Sequence, residues 1–271
     1  MKFFFVLALI LFSFNSFSQH IETSHKKTKN GFKIYADNPE LSPISVNLEL
    51  TLENLRLKGS NIVVLKPNQK KQLLGELRII DRSKGSKFTY KTHYNFGDTF
   101  LEEYDKNYEY RLPFSKDSTY RVGQGYHGKF SHQDQKALDF NMPIGTSVRA
   151  ARGGIVVKVI ENNDQACPRT ECQKFTNLVR VFHSDGTFAE YVHLKKDGAV
   201  VQKGDTVEQG QLLGYSGNTG WSSGPHLHFV VYMQRIYDRK TLSTTFVIDE
   251  ENPPLLLVER KDYTNRIGKA L

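Results

Sequence analysis

Cysteine, methionine and tryptophan are scarce in this 271-residue chain, with two, three and one copies. The cysteines, Cys167 and Cys172, sit in a polar segment and lack the two further ligands that a cysteine-based zinc site needs. In an exported chain such a pair predicts a disulfide pinning a loop. After Gln19 no apolar run approaches membrane-spanning length, which argues against stable membrane insertion. No internal repeat or low-complexity tract is present, and the second half shows no helical periodicity beyond about two turns. The glycine-rich stretch Gly214-Tyr215-Ser216-Gly217-Asn218-Thr219-Gly220 is followed by neither a phosphate-loop lysine nor a helix, which excludes a nucleotide cradle.

The start of the chain has the layout of a cleavable export signal over residues 1–19: Met1-Lys2, an apolar run from Phe3 to Phe14, then small residues Ser16 and Ser18. No cysteine near the cleavage point offers a lipid anchor. The expected location is therefore a periplasm or the cell exterior. Lysine and arginine number 37 against 29 acidic residues, a formal charge of +8. In an exported protein that balance suits an anionic partner such as cell-wall polymer or a membrane surface. Nucleic acid is not expected there.

Residues 20–30 are polar and basic and read as a mobile leader. From Phe32 the pattern is strand-like. Ile44, Val46, Leu48, Leu50 and Leu52 alternate with Ser45, Asn47, Glu49 and Thr51, the period of a half-buried strand. Ile62–Leu65, Leu73–Ile80 and Phe88–Tyr94 add strands separated by turn residues. Residues 20–112 are thus expected to form a small β-sandwich, an accessory domain with no catalytic cluster. Residues 113–241 form the second predicted domain, with short strands at Ile155–Ile160, Leu178–Phe182, Thr187–Leu194 and Phe229–Tyr232. Asp185-Gly186 predicts a two-residue hairpin between two of them. Residues 242–271 read as a C-terminal extension, an edge strand and a tail. The fold class is all-β.

Gly224-Pro225-His226-Leu227-His228-Phe229-Val230-Val231-Tyr232 carries most of the chemistry. As a strand it presents His226, His228, Val230 and Tyr232 on one face and Leu227, Phe229 and Val231 on the other. Two imidazoles roughly 7 Å apart on a rigid strand suit one metal ligand and one neighbour acting on a metal-bound water. His132 and Asp139 offer a neutral nitrogen and an anionic oxygen, both good zinc donors. His193 follows a strand end in Tyr191-Val192-His193-Leu194. The glycine-rich stretch leads into the histidine strand and is placed to wall a groove.

These pieces, in this order, resemble the catalytic domain of lysostaphin-type, or LytM-type, zinc endopeptidases. The resemblance runs from Ser131 to Val231. It includes Met142-Pro143-Ile144-Gly145-Thr146, Gly153-Gly154-Ile155-Val156, Val201-Gln202-Lys203-Gly204-Asp205-Thr206-Val207 and Gly210-Gln211-Leu212-Leu213-Gly214. It implies an antiparallel β-sheet peptidase domain with a groove, one Zn2+ per chain, and peptidoglycan peptides as substrate. By position, His132, Asp139 and His228 would be the zinc ligands. His226 would be the general base, and His193 a hydrogen-bond donor to the oxyanion. Here His132 and Asp139 stand farther apart than in many relatives, so Gln133–Leu138 must bulge outward. His127 is the alternative ligand. The segment around Cys167 and Cys172 is an insertion that could shape a groove wall.

Two rival readings remain. One is a catalytically silent LytM-type regulator that binds the wall and activates other hydrolases; the presence of all five residues favours catalysis. The other is a lipoyl- or biotinyl-type carrier, which lacks its modification motif here.

Overall fold

The computed structural model describes residues 21–267; the expected export signal lies outside the described residues. The architecture is all-β, as expected. Among the described residues the one helical element is a short 3-10 turn, Thr170–Phe175.

Two antiparallel sheets make the N-terminal sandwich. A four-stranded sheet comprises Thr23–Thr28, Gly31–Asn38, Gln69–Ile79 and Leu55–Lys58; a three-stranded one comprises Ile62–Leu65, Ile44–Glu53 and Lys87–Phe96. Ile34, Leu74 and Leu77 from the first pack with Ile44, Val46, Leu48 and Leu65 from the second. Fully burying each such side chain stabilises by about 1.5–3 kcal/mol.

The expected mobile leader is instead an edge strand. Thr23–Thr28 pairs residue by residue with Gly31–Ala36, and its middle residues face solvent. Backbone pairing, not side-chain burial, holds it, and Lys26 and Lys27 guard the open edge. Strand Ile44–Glu53 departs from simple alternation at its start, where Ser45 and Asn47 are buried as well. The Ser45 hydroxyl donates to Gly97 O (2.8 Å), and Asn47 Nδ2 donates to the Tyr237 hydroxyl. The second half of the chain therefore covers this strand's outer face.

The second half is built on a nine-stranded sheet. Its order runs Thr206–Val207, Gly154–Ile160, Leu178–Phe182, Phe188–Val192, Leu227–Gln234, Ala137–Phe140, Thr119–Gln124 and Asp262–Thr264, with Arg239–Thr241 also pairing Leu227–Gln234. One face packs Leu138, Phe140, Tyr191, Leu227, Phe229 and Val231 against the small sheet that carries Val148, Leu194 and Leu213. The opposite face carries Ala137, Phe188, Val230 and Tyr232, covered by Leu41 and Phe96 of the sandwich.

Tyr110 and Leu112, expected to close the first domain, are buried in this second core. Strand Glu109–Arg111 pairs in parallel with Thr245–Val247, so the division between the two cores falls before it. The C-terminal segment is likewise more than a tail: Phe246, Leu257 and Tyr263 are buried in the same core. The hairpin at Asp185-Gly186 forms with a longer turn than expected. His183 N donates to Thr187 O and Gly186 N to His183 O, with Gly186 at φ +84°. Cys167 and Cys172 are disulfide-bonded.

His183 beside this turn is fully buried. Its Nδ1 donates to Gly153 O (2.9 Å), and burial pushes its pKa down to about 4. The folded chain thus binds fewer protons here than the unfolded one. Its contribution to stability is present above about pH 6.5 and is lost as pH falls toward 4. By linkage, about 2–3 kcal/mol disappears by pH 4.5. Urea midpoints of wild type and His183→Asn at pH 7 and 4.5 check this. The variant should show the smaller drop, and equal drops would discard the assignment.

Candidate metal centre and groove

Asp139 and His228 are direct partners on neighbouring antiparallel strands, so their side chains leave the same sheet face together. His132 comes from the preceding turn. Gln133 and Asp134 bulge into solvent, and the loop is closed by bonds from Gln135 N to His132 O (2.9 Å) and His127 N to Gln135 O (2.8 Å). The wider His132–Asp139 interval is absorbed there.

Three donor atoms meet. His228 Nδ1 lies 2.9 Å from Asp139 Oδ1, His132 Nε2 lies 3.2 Å from the same oxygen, and the two nitrogens are 3.2 Å apart. Tetrahedral zinc with ligands at about 2.0–2.1 Å requires donors about 3.3 Å apart, so this triangle fits one edge set of such a tetrahedron. The chemistry fits too, with two imidazole nitrogens and one carboxylate. Among the described residues, this is the group of such side chains able to hold one ion. His127 is exposed on the groove rim and is not part of it.

The His132 ring is oriented by its other nitrogen. His132 Nδ1 donates to Gly125 O (2.9 Å), a carbonyl that can only accept, and this orients the ring so that Nε2 enters the cluster. Asp139 Oδ2 accepts from Gln124 Nε2 (2.9 Å). Burial opposes ionisation of Asp139, but hydrogen bonds from His132 and His228 hold its carboxyl well below the usual carboxylate range. Burial likewise disfavours a charged His132, yet the Asp139 hydrogen bond and charge raise its pKa overall. At His228 burial wins, and its pKa is lowered.

His193 and His226 stand beside the cluster, their rings 4.5 Å apart. His226 Nδ1 donates to Gly224 O (2.8 Å), and its Nε2 is 3.8 Å from Asp139 Oδ1. His193 follows strand Phe188–Val192, where alternation would send it to the core side with Tyr191. Its backbone is instead left-handed, at φ +67°, and the ring joins the groove. A non-glycine residue held in that region marks stored strain at the site. His193 Nδ1 donates to Thr219 O (2.6 Å). Burial, then repulsion from His226 and His228, pushes its pKa down to about 3, so the ring is neutral.

Asp139, His193, His226 and His228 line an open groove of about 960 Å³, and the fully buried His132 lies behind it. Tyr126–Phe130 and Glu259–Arg260 form one wall; Trp221–Pro225, with Gln173 and Thr176 beside the disulfide, form the other. Gly214–Gly220, expected to wall the groove, does not line it. These glycines serve close packing: a Cβ on Gly217 would meet Lys195 N at 2.3 Å. Sequence reasoning missed Gln124, which lies opposite Asp139 in register, and Ser222, whose hydroxyl lies 3.3 Å from His226 Nδ1. Neither carries a motif.

A His-Asp-His donor triangle with two further histidines in an open groove defines a candidate metallopeptidase centre. Residues 133–239 match the model of Peptidase family M23. His132 lies one residue before the matched stretch; the other four residues lie inside it. An uncharacterized metalloprotease of Buchnera aphidicola is 29% identical over 168 residues, covering 58% of this chain and 39% of that protein. The peptidoglycan DD-endopeptidase ShyA of Vibrio cholerae is 35% identical over 119 residues, 42% of this chain and 25% of ShyA. The structure of the antimicrobial peptidase lysostaphin from Staphylococcus simulans aligns at 31% identity over 45% of this chain and 47% of that one, with a TM-score of 0.35. This chain thus spans well under half the length of these curated relatives.

Gln124→Ala should weaken Zn2+ binding about 10–100-fold by releasing Asp139 Oδ2. Competition against a chelator in the purified chain measures this, and unchanged affinity would show that Gln124 does not orient the carboxylate.

Proposed function

We propose that this chain is an exported single-zinc endopeptidase that hydrolyses peptide bonds of bacterial peptidoglycan. The observation that carries the reading is the donor triangle of His132, Asp139 and His228, at 2.9–3.2 Å spacing, beside His193 and His226 in an open groove. The relatives named as peptidoglycan DD-endopeptidases support the substrate class.

His132 Nε2, Asp139 Oδ1 and His228 Nδ1 would hold the ion. Bound there, zinc supplies Lewis-acid polarisation of the scissile carbonyl and lowers the pKa of a water. His226 Nδ1 donates to Gly224 O, so its Nε2 is the atom placed to accept a proton from the attacking water and pass it to the leaving amine. His193 has its proton on Nδ1, bound to Thr219 O. Its neutral ring therefore presents a lone pair at Nε2, not an N–H. The oxyanion-donor role implied by the family resemblance needs a proton that this tautomer lacks. We assign His193 instead to accepting a hydrogen bond at Nε2 from the water's second O–H, which aims the oxygen at the carbonyl while that proton stays on the oxygen.

Zinc-loaded protein incubated with purified peptidoglycan should release peptide fragments identifiable by mass. His228→Ala should lose both metal and hydrolysis. His226→Ala should keep the metal while turnover falls about 10²–10⁴-fold. Full hydrolysis by metal-stripped wild type would refute the scheme, and metal binding with no fragment released would favour the silent regulator.

A further inference from the structure

The sheet floor next to the metal cluster carries a buried charge group that the hydrolytic scheme does not use. Glu190 is 6% exposed. Its Oε1 accepts from Arg180 Nη2 (2.6 Å), Arg180 Nε (2.8 Å) and the Tyr232 hydroxyl (3.2 Å), and its Oε2 accepts from Arg239 Nη1 (3.0 Å). One carboxylate thus serves two guanidiniums, and the group holds a surplus positive charge.

The two arginines are not equivalent. The Arg180 side chain is 16% exposed, and its guanidinium lies over the Phe96 ring of the sandwich. The Arg239 side chain is 32% exposed and lines the groove. Its second nitrogen, Nη2, is met only by a neutral amide oxygen, Gln135 Oε1, at 3.1 Å. A charge-assisted bond to a carboxylate is about twice as strong as one to a neutral acceptor, so an incoming carboxylate displaces that amide. The carboxylates that line the groove are already engaged: Asp139 by His132 and His228, Glu190 by the arginines, Glu259 by Gly125 N and Arg260. None competes for Arg239 Nη2.

Position sets the reach. Glu190 pairs with Val230, one two-residue step from His228, or roughly 7 Å along the sheet. A group held at Arg239 therefore sits one or two residues along an extended peptide from the scissile bond. We propose that Arg239 is a specificity-determining residue that binds a free carboxylate of the substrate peptide at that distance, Gln135 acting as the placeholder. This rests on the peptidase reading of the site.

The probe is one preparation of cross-linked peptide fragments released from purified cell wall, used with native carboxylates or after carbodiimide amidation with ammonia. Wild type should cleave the native form with a kcat/KM roughly tenfold or more above the amidated form. Arg239→Gln should collapse that ratio toward one, with Zn2+ content unchanged. Gln135→Glu, which keeps both arginines and supplies a competing carboxylate, should also collapse it and guards against misfolding of the first variant. A wild-type ratio near one, or a ratio unchanged in both variants, overturns the proposal. Cleavage of the amidated form by wild type upholds the peptidase reading independently. Cleavage of neither form overturns that reading and this one with it.

Discussion

The candidate metal centre depends on one strand register, Asp139 directly opposite His228. A slip by one residue would turn one of the two donors to the other face. The register is enforced from behind the site. Leu138 pairs with Phe229 and Phe140 with Leu227, and all four are buried in the main core. Hydrophobic packing on one face of the sheet therefore positions polar donors on the other. His132 completes the triangle because its loop is closed by backbone bonds on both sides of the bulge.

A second device recurs through the site. Gly125 O, Thr219 O and Gly224 O each accept from the Nδ1 of a histidine, namely His132, His193 and His226. Carbonyls cannot donate, so each fixes a proton on Nδ1 and orients the ring. Backbone geometry thus chooses the tautomer, and low polarity keeps His193 neutral. The loops that supply these carbonyls include the glycine-rich segment, whose function is close packing rather than contact with a ligand.

The sandwich packs on the same sheet face as the donor cluster. Leu41 and Phe96 cover Phe188, Val230 and Tyr232, while Asp139 and His228 continue that face into the groove. No described residue before Gly123 lines the groove. The N-terminal sandwich therefore abuts the floor of the site and leaves its mouth open. Its interface also buries Ser45 and Asn47, which is why a strand that reads as half-exposed is covered on both sides there.

The alternation in Ile44–Leu52 and in Leu227–Tyr232 was legible in the sequence because period two reports burial directly. It placed the sandwich strands and put His226, His228 and Tyr232 on one side. The donor residues were legible as types in an ordered set of motifs. Their meeting was not, since it depends on pairing between segments some ninety residues apart. Tertiary contacts alone decided the remainder. A polar leader became an edge strand because a neighbour offered it backbone bonds. The C-terminal tail became core because Phe246 and Tyr263 found a buried place. His193 turned into the groove through a left-handed backbone that no alternation rule anticipates. Sequence by itself determined which side chains are candidates for the chemistry and which face of each strand is apolar, because those properties are local. Register, tautomer and the Arg239–Gln135 contact belong to the folded chain alone, because each depends on an atom contributed by a distant segment.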